Sequence, residues 1–367
     1  MPVVSAVRLL GPSLPDTPPQ RLALIKPSAL GDIVHTLPVL TALRLLYPQA
    51  HITWIVHAAY APLLEGHPHL DAVLPFDRTI FRSRSLPKML RYLAAWFTQL
   101  RQQRFDWVID LQGLFRSGLI SWASRAPIRI GLHSAREGSV LAYTHRLFIP
   151  QEQRLHAVDR YWQLMVTLGG ADLPLRFVLP IDPQQRQAAL RLWSDLPRPW
   201  VALAPGARWQ TKRWPPHAFA QLLQRLHHHT GAGCLILGST DDTPLAQQIT
   251  TALPSAPIRC LTGHTSLPLL VALLAECDLF LGNDSGPLHL AAALGKPCLA
   301  PFTCTRPERH GPYTFPHGAV PVALPCAGSY RKYCSHMTCH YTLTVDQLWT
   351  RLLEWDLFPR RCHSPAA

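Results

Sequence analysis

Long apolar runs are missing from this 367-residue chain. The richest, Leu267 to Leu281, carries Glu276 and Asp278 and falls short of the about 20 apolar residues a membrane-spanning helix needs. The opening MPVVSAVRLLGPSLPDTPPQ breaks its apolar stretch at Arg8 and then with prolines, which argues against a secretory leader. CxxC pairs are absent, and the nine cysteines are an odd number mostly in apolar contexts, so the expectation is a reducing cytoplasm with free thiols. Charged residues are scarce at 16% against 48% hydrophobic, which excludes wholesale disorder and leaves material for a sizeable core. A long Lys/Arg block is lacking as well. The surplus of 35 Lys and Arg over 22 Asp and Glu is dispersed, Arg78, Arg82, Arg84, Arg101, Arg104, Arg116, Arg125, Arg129 and Arg136 among it. A net charge of +13 favours an anionic partner. Its dispersal ranks a phosphorylated or membrane-borne acceptor above nucleic acid.

What is present is an alternation of strand and helix patterns. RLALIK (21–26) is a short apolar run stopped by Pro27 and Gly31, and the following segment has helical spacing at Val34, Leu37, Leu40, Leu43 and Leu46. HITWIVH (51–57) and FDWVIDLQG (105–113) read as strands, with a helix over Pro87–Gln103 between them. The second half restarts the pattern, with strands at 200–206, 233–239, 258–263, 277–284 and 296–302. Helices are expected between them at Pro216–His229, Asp242–Leu253, Leu267–Ala275 and Gly286–Leu294. Two such series predict an α/β chain of two Rossmann-like domains with parallel sheets. They meet at the extended, proline-rich stretch 173–183. Ligands of open parallel sheets bind beyond the carboxyl ends of the strands, so the expected site is a cleft between the domains.

Three motifs lie at such strand ends. In KPSALGDIVHTLP (26–38), Gly31 permits a tight turn and Asp32 begins a helix, either as a helix-start cap or as a carboxylate placed to take a proton from a hydroxyl. In APGARWQTKRWP (204–215), a loop through Gly206 leads to Lys212. Such a loop either presents amides and a cation to phosphate or is a basic turn anchored by Trp214. In LFLGNDSGPLHLAAALGKP (279–297), a strand runs into Asp284, Ser285 and Gly286 and then a helix with His289 in its first turn. Proline after a small polar cap is ordinary helix-start chemistry, yet the same turn aims free amides at an anion such as a pyrophosphate. Asp242, after the strand at 233–239, reads as a helix cap or a ribose contact, and His227-His228-His229 as a solvated helix end. Cys304, Cys326, Cys334 and Cys339 are candidate metal ligands by residue type but lack a CxxC pair, so free thiols are the expectation and a metal the alternative.

Together with FDWVIDLQGLFRSG, Ala-Arg-Glu-Gly at 135–138 and HAVDRY at 156–161, the order and spacing of these motifs resemble family 9 glycosyltransferases, the heptosyltransferases of the lipopolysaccharide inner core. The resemblance covers roughly residues 21 to 358 and is nearest the heptosyltransferase I group, while the Pro-Gly-Ala of 205–207 is more like heptosyltransferase II. It implies a GT-B fold: an acceptor domain over 21–172, a donor domain over 184–343, and a last helix (Val345 to Trp355) packing back on the first domain. It further implies inverting, metal-independent transfer from ADP-heptose to an anionic Kdo-lipid A type acceptor, by a monomer without cofactor or nucleic acid, at the cytoplasmic face of the inner membrane.

By the same resemblance Asp32 matches the general base and Lys212 the lysine that holds the leaving diphosphate. Gly206, Asp284, Ser285, Gly286 and His289 match donor positions. Asp242 matches the ribose contact and Thr265 the adenine-side wall. Arg136, His156 and Arg160 match acceptor positions. Three other readings stay open at this point: a family 9 transferase with another nucleotide sugar or acceptor, a nucleotide-sugar binding protein without turnover, and a basic nucleic-acid binder, which would bind with steep salt dependence.

Overall fold

The computed structural model describes residues 6–82, 85–355 and 357. The chain divides into two compact units, Met1–Pro180 and Ile181–Ala367, with the division inside the proline-rich stretch. Arg84 and the tail beyond Leu357 lie outside the described residues.

The first unit is built on seven strands: β1 (Arg8–Leu10), β2 (Arg21–Ile25), β3 (His51–His57), β4 (Ala72–Phe76), β5 (Trp107–Asp110), β6 (Ile128–Leu132) and β7 (His145–Phe148). Their order is β1-β7-β6-β5-β2-β3-β4, parallel except for β1, which pairs antiparallel with β7. The central strand β2 has Leu22, Ala23, Leu24 and Ile25 fully buried, as a parallel strand with both faces covered must. Its helices are α1 (Leu30–Leu46), α2 (Leu86–Gln102), α3 (Phe115–Ala123) and α4 (Ala157–Thr167). Trp54 on β3, itself fully buried, donates its indole N–H to the Lys26 carbonyl at 3.2 Å and so fixes the backbone just past β2.

The second unit has six parallel strands in the order β10-β9-β8-β11-β12-β13. They are β8 (Trp200–Ala204), β9 (Gly233–Ile236), β10 (Ile258–Cys260), β11 (Leu279–Gly282), β12 (Cys298–Phe302) and β13 (Ala319–Pro321). Among the helices accompanying them are α5 (Pro183–Ser194), α6 (Pro216–Thr230), α7 (Thr243–Ala252), α8 (Leu267–Glu276) and α9 (Gly286–Ala293). The order reverses around β8 and β11, so the loops after these two strands diverge, which is where a doubly wound sheet opens a crevice.

The last helix is Val345–Leu353. Its apolar stripe of Val345, Leu348 and Leu352 is buried in the core of the second unit with Leu223, Leu226 and Val320. Spacing at i, i+3 and i+7 shows that a helix face is apolar but not which neighbour takes it. Among the described residues no helix is long and apolar enough to cross a membrane.

Candidate functional site

In the second unit the loops after β8, β11 and β12 converge on one buried carboxylate. Asp284, 4% exposed, receives Lys212 Nζ at 2.6 Å and the Thr305 hydroxyl at 2.6 Å on Oδ2, while His289 Nε2 lies 3.3 Å from Oδ1. Burial alone would raise the Asp284 carboxyl, but the hydrogen bond from His289 and the charge of Lys212 outweigh it and hold it well below the usual carboxylate range. Lys212 ends the 3₁₀ turn Gln210–Lys212, with its ammonium 4.9 Å from the centre of the Trp209 ring. Lys332 approaches the same ring at 5.6 Å. The result is a cation held in place by a buried anion yet still partly open to solvent.

The lysine loop is clamped from below by Asn283, which is fully buried. Its Nδ2 donates to the Pro205 carbonyl at 2.7 Å, and its Oδ1 accepts the Trp214 N–H at 2.9 Å, so one side chain holds both ends of the loop. The Thr303 hydroxyl donates to the Thr211 carbonyl, one residue before the lysine. The Thr211 hydroxyl in turn donates to the Arg331 carbonyl at 2.6 Å, with Cys304 Sγ at 3.3 Å. Asn283, Thr303 and Thr305 were not read as site residues from the sequence. Asn283 was absorbed into the turn, although Thr303 and Thr305 do follow a parallel strand at its carboxyl end, which is a usable signal.

Ser285 caps α9 with extended backbone, φ −149° and ψ 173°, and Gly286 is the first helical residue. The Ser285 hydroxyl is buried and meets no hydrogen-bond partner among the described residues. A hydroxyl there can donate to an anionic oxygen met by the helix amino end. Gly206 and Asp242 also come together: a Cβ on Gly206 would lie 2.0 Å from Asp242 Oδ1. Asp242 accepts from both the N–H and the hydroxyl of Ser239 at 2.8 Å, so the carboxylate caps the turn Thr240–Asp242. Gly206→Ala is therefore expected to destabilise the chain by roughly 1–3 kcal/mol by forcing that carboxylate aside. Urea denaturation checks this, and an unchanged midpoint would show that Asp242 yields without loss. Thr265 is half-buried on the loop after β10, which is joined to the loop after β9 by the Gly263 N–H donating to the Gly238 carbonyl at 2.9 Å.

In the first unit Asp32 is partly exposed in the first turn of α1, with Oδ2 accepting the Ala29 N–H at 3.1 Å. It thus satisfies one of the orphan donors at the helix start. Lys26, six residues earlier, is buried and donates to the Leu111 carbonyl at 2.8 Å and the Tyr161 hydroxyl at 2.7 Å, joining the β2 loop to the β5 loop and to α4. A lysine in a loop reads as a surface cation, so its role as a cross-brace was missed. Asp110, fully buried at the end of β5, accepts from Tyr143 Oη at 2.7 Å and from the N–H groups of Gln112 and Gly113 at 2.8 and 3.2 Å. Burial pushes its carboxyl up against those hydrogen bonds.

That brace shapes the loop bearing the acceptor candidates. The Gly113 carbonyl accepts the Arg136 N–H at 2.8 Å, and the Arg136 side chain is exposed. Arg160 on α4 donates to Glu152 Oε2 at 3.1 Å and the Ser134 hydroxyl at 3.2 Å. His156 caps α4, accepting the Val158 N–H on Nδ1 at 3.1 Å, with its ring edge-on to His35 at 5.3 Å. Among the described residues no group of three or more His, Cys, Asp or Glu side chains is arranged to hold a metal ion.

The family model for glycosyltransferase family 9 (heptosyltransferase) matches residues 93–340, more than half of the chain. The chain belongs to glycosyltransferase family 9. It is also 30% identical over 324 residues to lipopolysaccharide heptosyltransferase 1 of Pseudomonas aeruginosa, covering 86% of this chain and 88% of that one. E. coli ADP-heptose lps heptosyltransferase II superposes with a TM-score of 0.69 at 25% identity, covering 92% of this chain and 99% of the other. E. coli heptosyltransferase WaaC with ADP-2-deoxy-2-fluoro heptose has the same fold, with a TM-score of 0.70 at 22% identity over 91% and 99% of the two chains. The two parallel-sheet units are accordingly the GT-B architecture, and the chain is a glycosyltransferase of heptosyltransferase type.

Proposed function

We propose that this glycosyltransferase moves a heptosyl group from ADP-heptose to an anionic inner-core glycolipid, with inversion and without a metal. The observation that carries the reading is Lys212 held on buried Asp284, beside the unpartnered Ser285 hydroxyl at the start of α9. In the transfer the bond from the anomeric carbon to the diphosphate oxygen breaks and the bond to the acceptor oxygen forms. Negative charge then grows on the leaving diphosphate, where the ammonium and the amino end of α9 stabilise it more than they stabilise the intact donor. Asp32 takes the acceptor proton. Asp242 and Thr265 face the adenosine, and Arg136, His156 and Arg160 meet acidic sugars or phosphates of the acceptor. The ADP-heptose assignment is supported by a 25% identical structural neighbour described as an ADP-heptose enzyme.

Calorimetric titration of ADP, UDP and GDP into the wild-type chain tests the donor. Selective binding of ADP is expected. Preference for UDP or GDP would keep the family and replace the donor.

A further inference from the structure

We propose that the surface formed by α2, α3 and the 3₁₀ turns Arg78–Arg82 and Ser139–Ala142 docks the enzyme on an anionic phospholipid bilayer. The inference rests on the reading that the acceptor is lipid-borne, and it assigns the contact to one face of the first unit.

Among the described residues, more than half of the exposed large apolar side chains gather on these elements: Phe81, Leu86, Leu90, Phe115, Leu119 and Trp122, with Leu141 beside them. Phe115, Leu119 and Trp122 stand at i, i+4 and i+7, one stripe of α3, and Leu86 and Leu90 stand at i and i+4 on α2. Trp122 is 61% and Phe115 59% exposed, so this is the outward face of an amphipathic pair whose inward face, with Trp96, Leu100 and Ile120, is already spent on the core.

The elements adjoin one another. Arg101 Nε donates to the Ala123 carbonyl at 3.2 Å, tying the end of α2 to the end of α3. The Arg116 guanidinium lies 5.8 Å from the centre of the Phe81 ring, tying the first turn to α3. A Cβ on Gly118 would lie 2.7 Å from Ser139 Cβ, so the second turn, which carries Leu141 at 88% exposure, is pressed against α3 as well. Contiguous apolar surface of this kind marks an interaction site rather than scattered exposure.

Charge selects the occupant. No acidic residue occurs between Asp77 and Asp106, whereas Arg78, Arg82, Arg84, Lys88, Arg91, Arg101 and Arg104 do. None occurs between Asp110 and Glu137 either, a stretch with Arg116, Arg125, Arg129 and Arg136. Lys88, Arg91, Arg116 and Arg125 are exposed on α2, on α3 and just past its end. Apolar side chains among a large excess of cations, with one carboxylate, Glu137, taken up by the Phe115 N–H at 3.1 Å, match the interface of an anionic bilayer, where rings and chains enter the headgroup boundary and cations meet phosphate. The face also continues into the acceptor side, because the Ser139 hydroxyl donates to the Arg136 carbonyl at 2.7 Å. A lipid-borne acceptor would then be met where the enzyme sits on the membrane.

The test is flotation of the full chain with vesicles of phosphatidylcholine alone or with phosphatidylglycerol. The wild type is expected to float with the anionic vesicles and to be released by salt. The variant Phe115→Ser, Leu119→Ser, Trp122→Ser is expected to lose binding at least tenfold, and Lys88→Ala and Arg91→Ala about fivefold each. Melting temperatures should be unchanged, since every one of these side chains is exposed. Equal binding to neutral vesicles, no binding, or variants that bind like wild type would overturn the proposal. So would self-association of the wild type that the triple serine variant abolishes, because a second copy would then be the occupant. Transfer to a delipidated acceptor should be the same in wild type and variants, so a failure of docking is distinguishable from a failure of the transferase reading.

Discussion

Lys212→Met is expected to lower kcat by about two to three orders of magnitude, the size associated with losing one preorganised group that stabilises developing charge. The ammonium is fixed against Asp284 Oδ2 at 2.6 Å and remains partly open, so it needs no reorganisation when the diphosphate leaves. The same change removes a partner from a carboxylate that is 4% exposed. Breaking a buried pair from one side costs on the order of 3–5 kcal/mol, and the Thr305 hydroxyl and His289 keep the loss toward the low end.

A pH signature separates this loss from simple loss of packing. Folding holds the Asp284 carboxyl below its ordinary value of 3.8, so its contribution to stability is complete above that pH and drains away as pH falls through the lower, folded value. Without Lys212 the folded value moves up, and acid unfolding should begin at a higher pH than in the wild type. Melting curves across the acid range check this. Superimposable acid limbs for the two proteins would remove Lys212 from the set of groups that hold Asp284 ionised.

Asp32→Asn is expected to lower transfer by about two to four orders of magnitude while leaving nucleotide binding and melting temperature as they are. Asparagine can still accept the Ala29 N–H that Asp32 accepts at 3.1 Å, so the start of α1 survives the change. What it cannot do is accept a proton from a hydroxyl. Single-turnover rates beside calorimetric donor affinity measure the two halves separately. Transfer within tenfold of wild type would return Asp32 to the plain role of helix-start cap and move the base elsewhere.

Much of the architecture was legible because the chain alternates its periods. The buried run Leu22–Ile25 followed by Gly31 and a helical pattern, and Leu279–Gly282 followed by the Asn-Asp-Ser-Gly turn, are strand-turn-helix units with physical stop signals. Short elements escaped, β4 and β13 among them, because each carries a proline and too few residues to show a period. In the second unit strand ends and helix starts announce themselves, which marks Lys212, Asp284, Ser285 and His289 as candidates, and Lys212 and His289 meet at Asp284.

Their supports carry no such mark. Asn283, Thr303 and Thr305 act by reaching across 21 to 92 positions of sequence, and Lys26 by reaching 85 and 135 positions to Leu111 and Tyr161. No local pattern encodes such a partner. The last helix shows the same limit from the packing side, since its Val345, Leu348 and Leu352 stripe fits any apolar surface offered and nothing local says that it joins the core of the second unit.

The decisive measurement is mass spectrometry of a Kdo-lipid A type acceptor after incubation with the enzyme and either ADP-heptose or UDP- and GDP-sugars. The expected result is one added heptosyl residue, with release of ADP, from ADP-heptose alone. An acceptor unmodified by ADP-heptose but extended from a UDP- or GDP-sugar would contradict it.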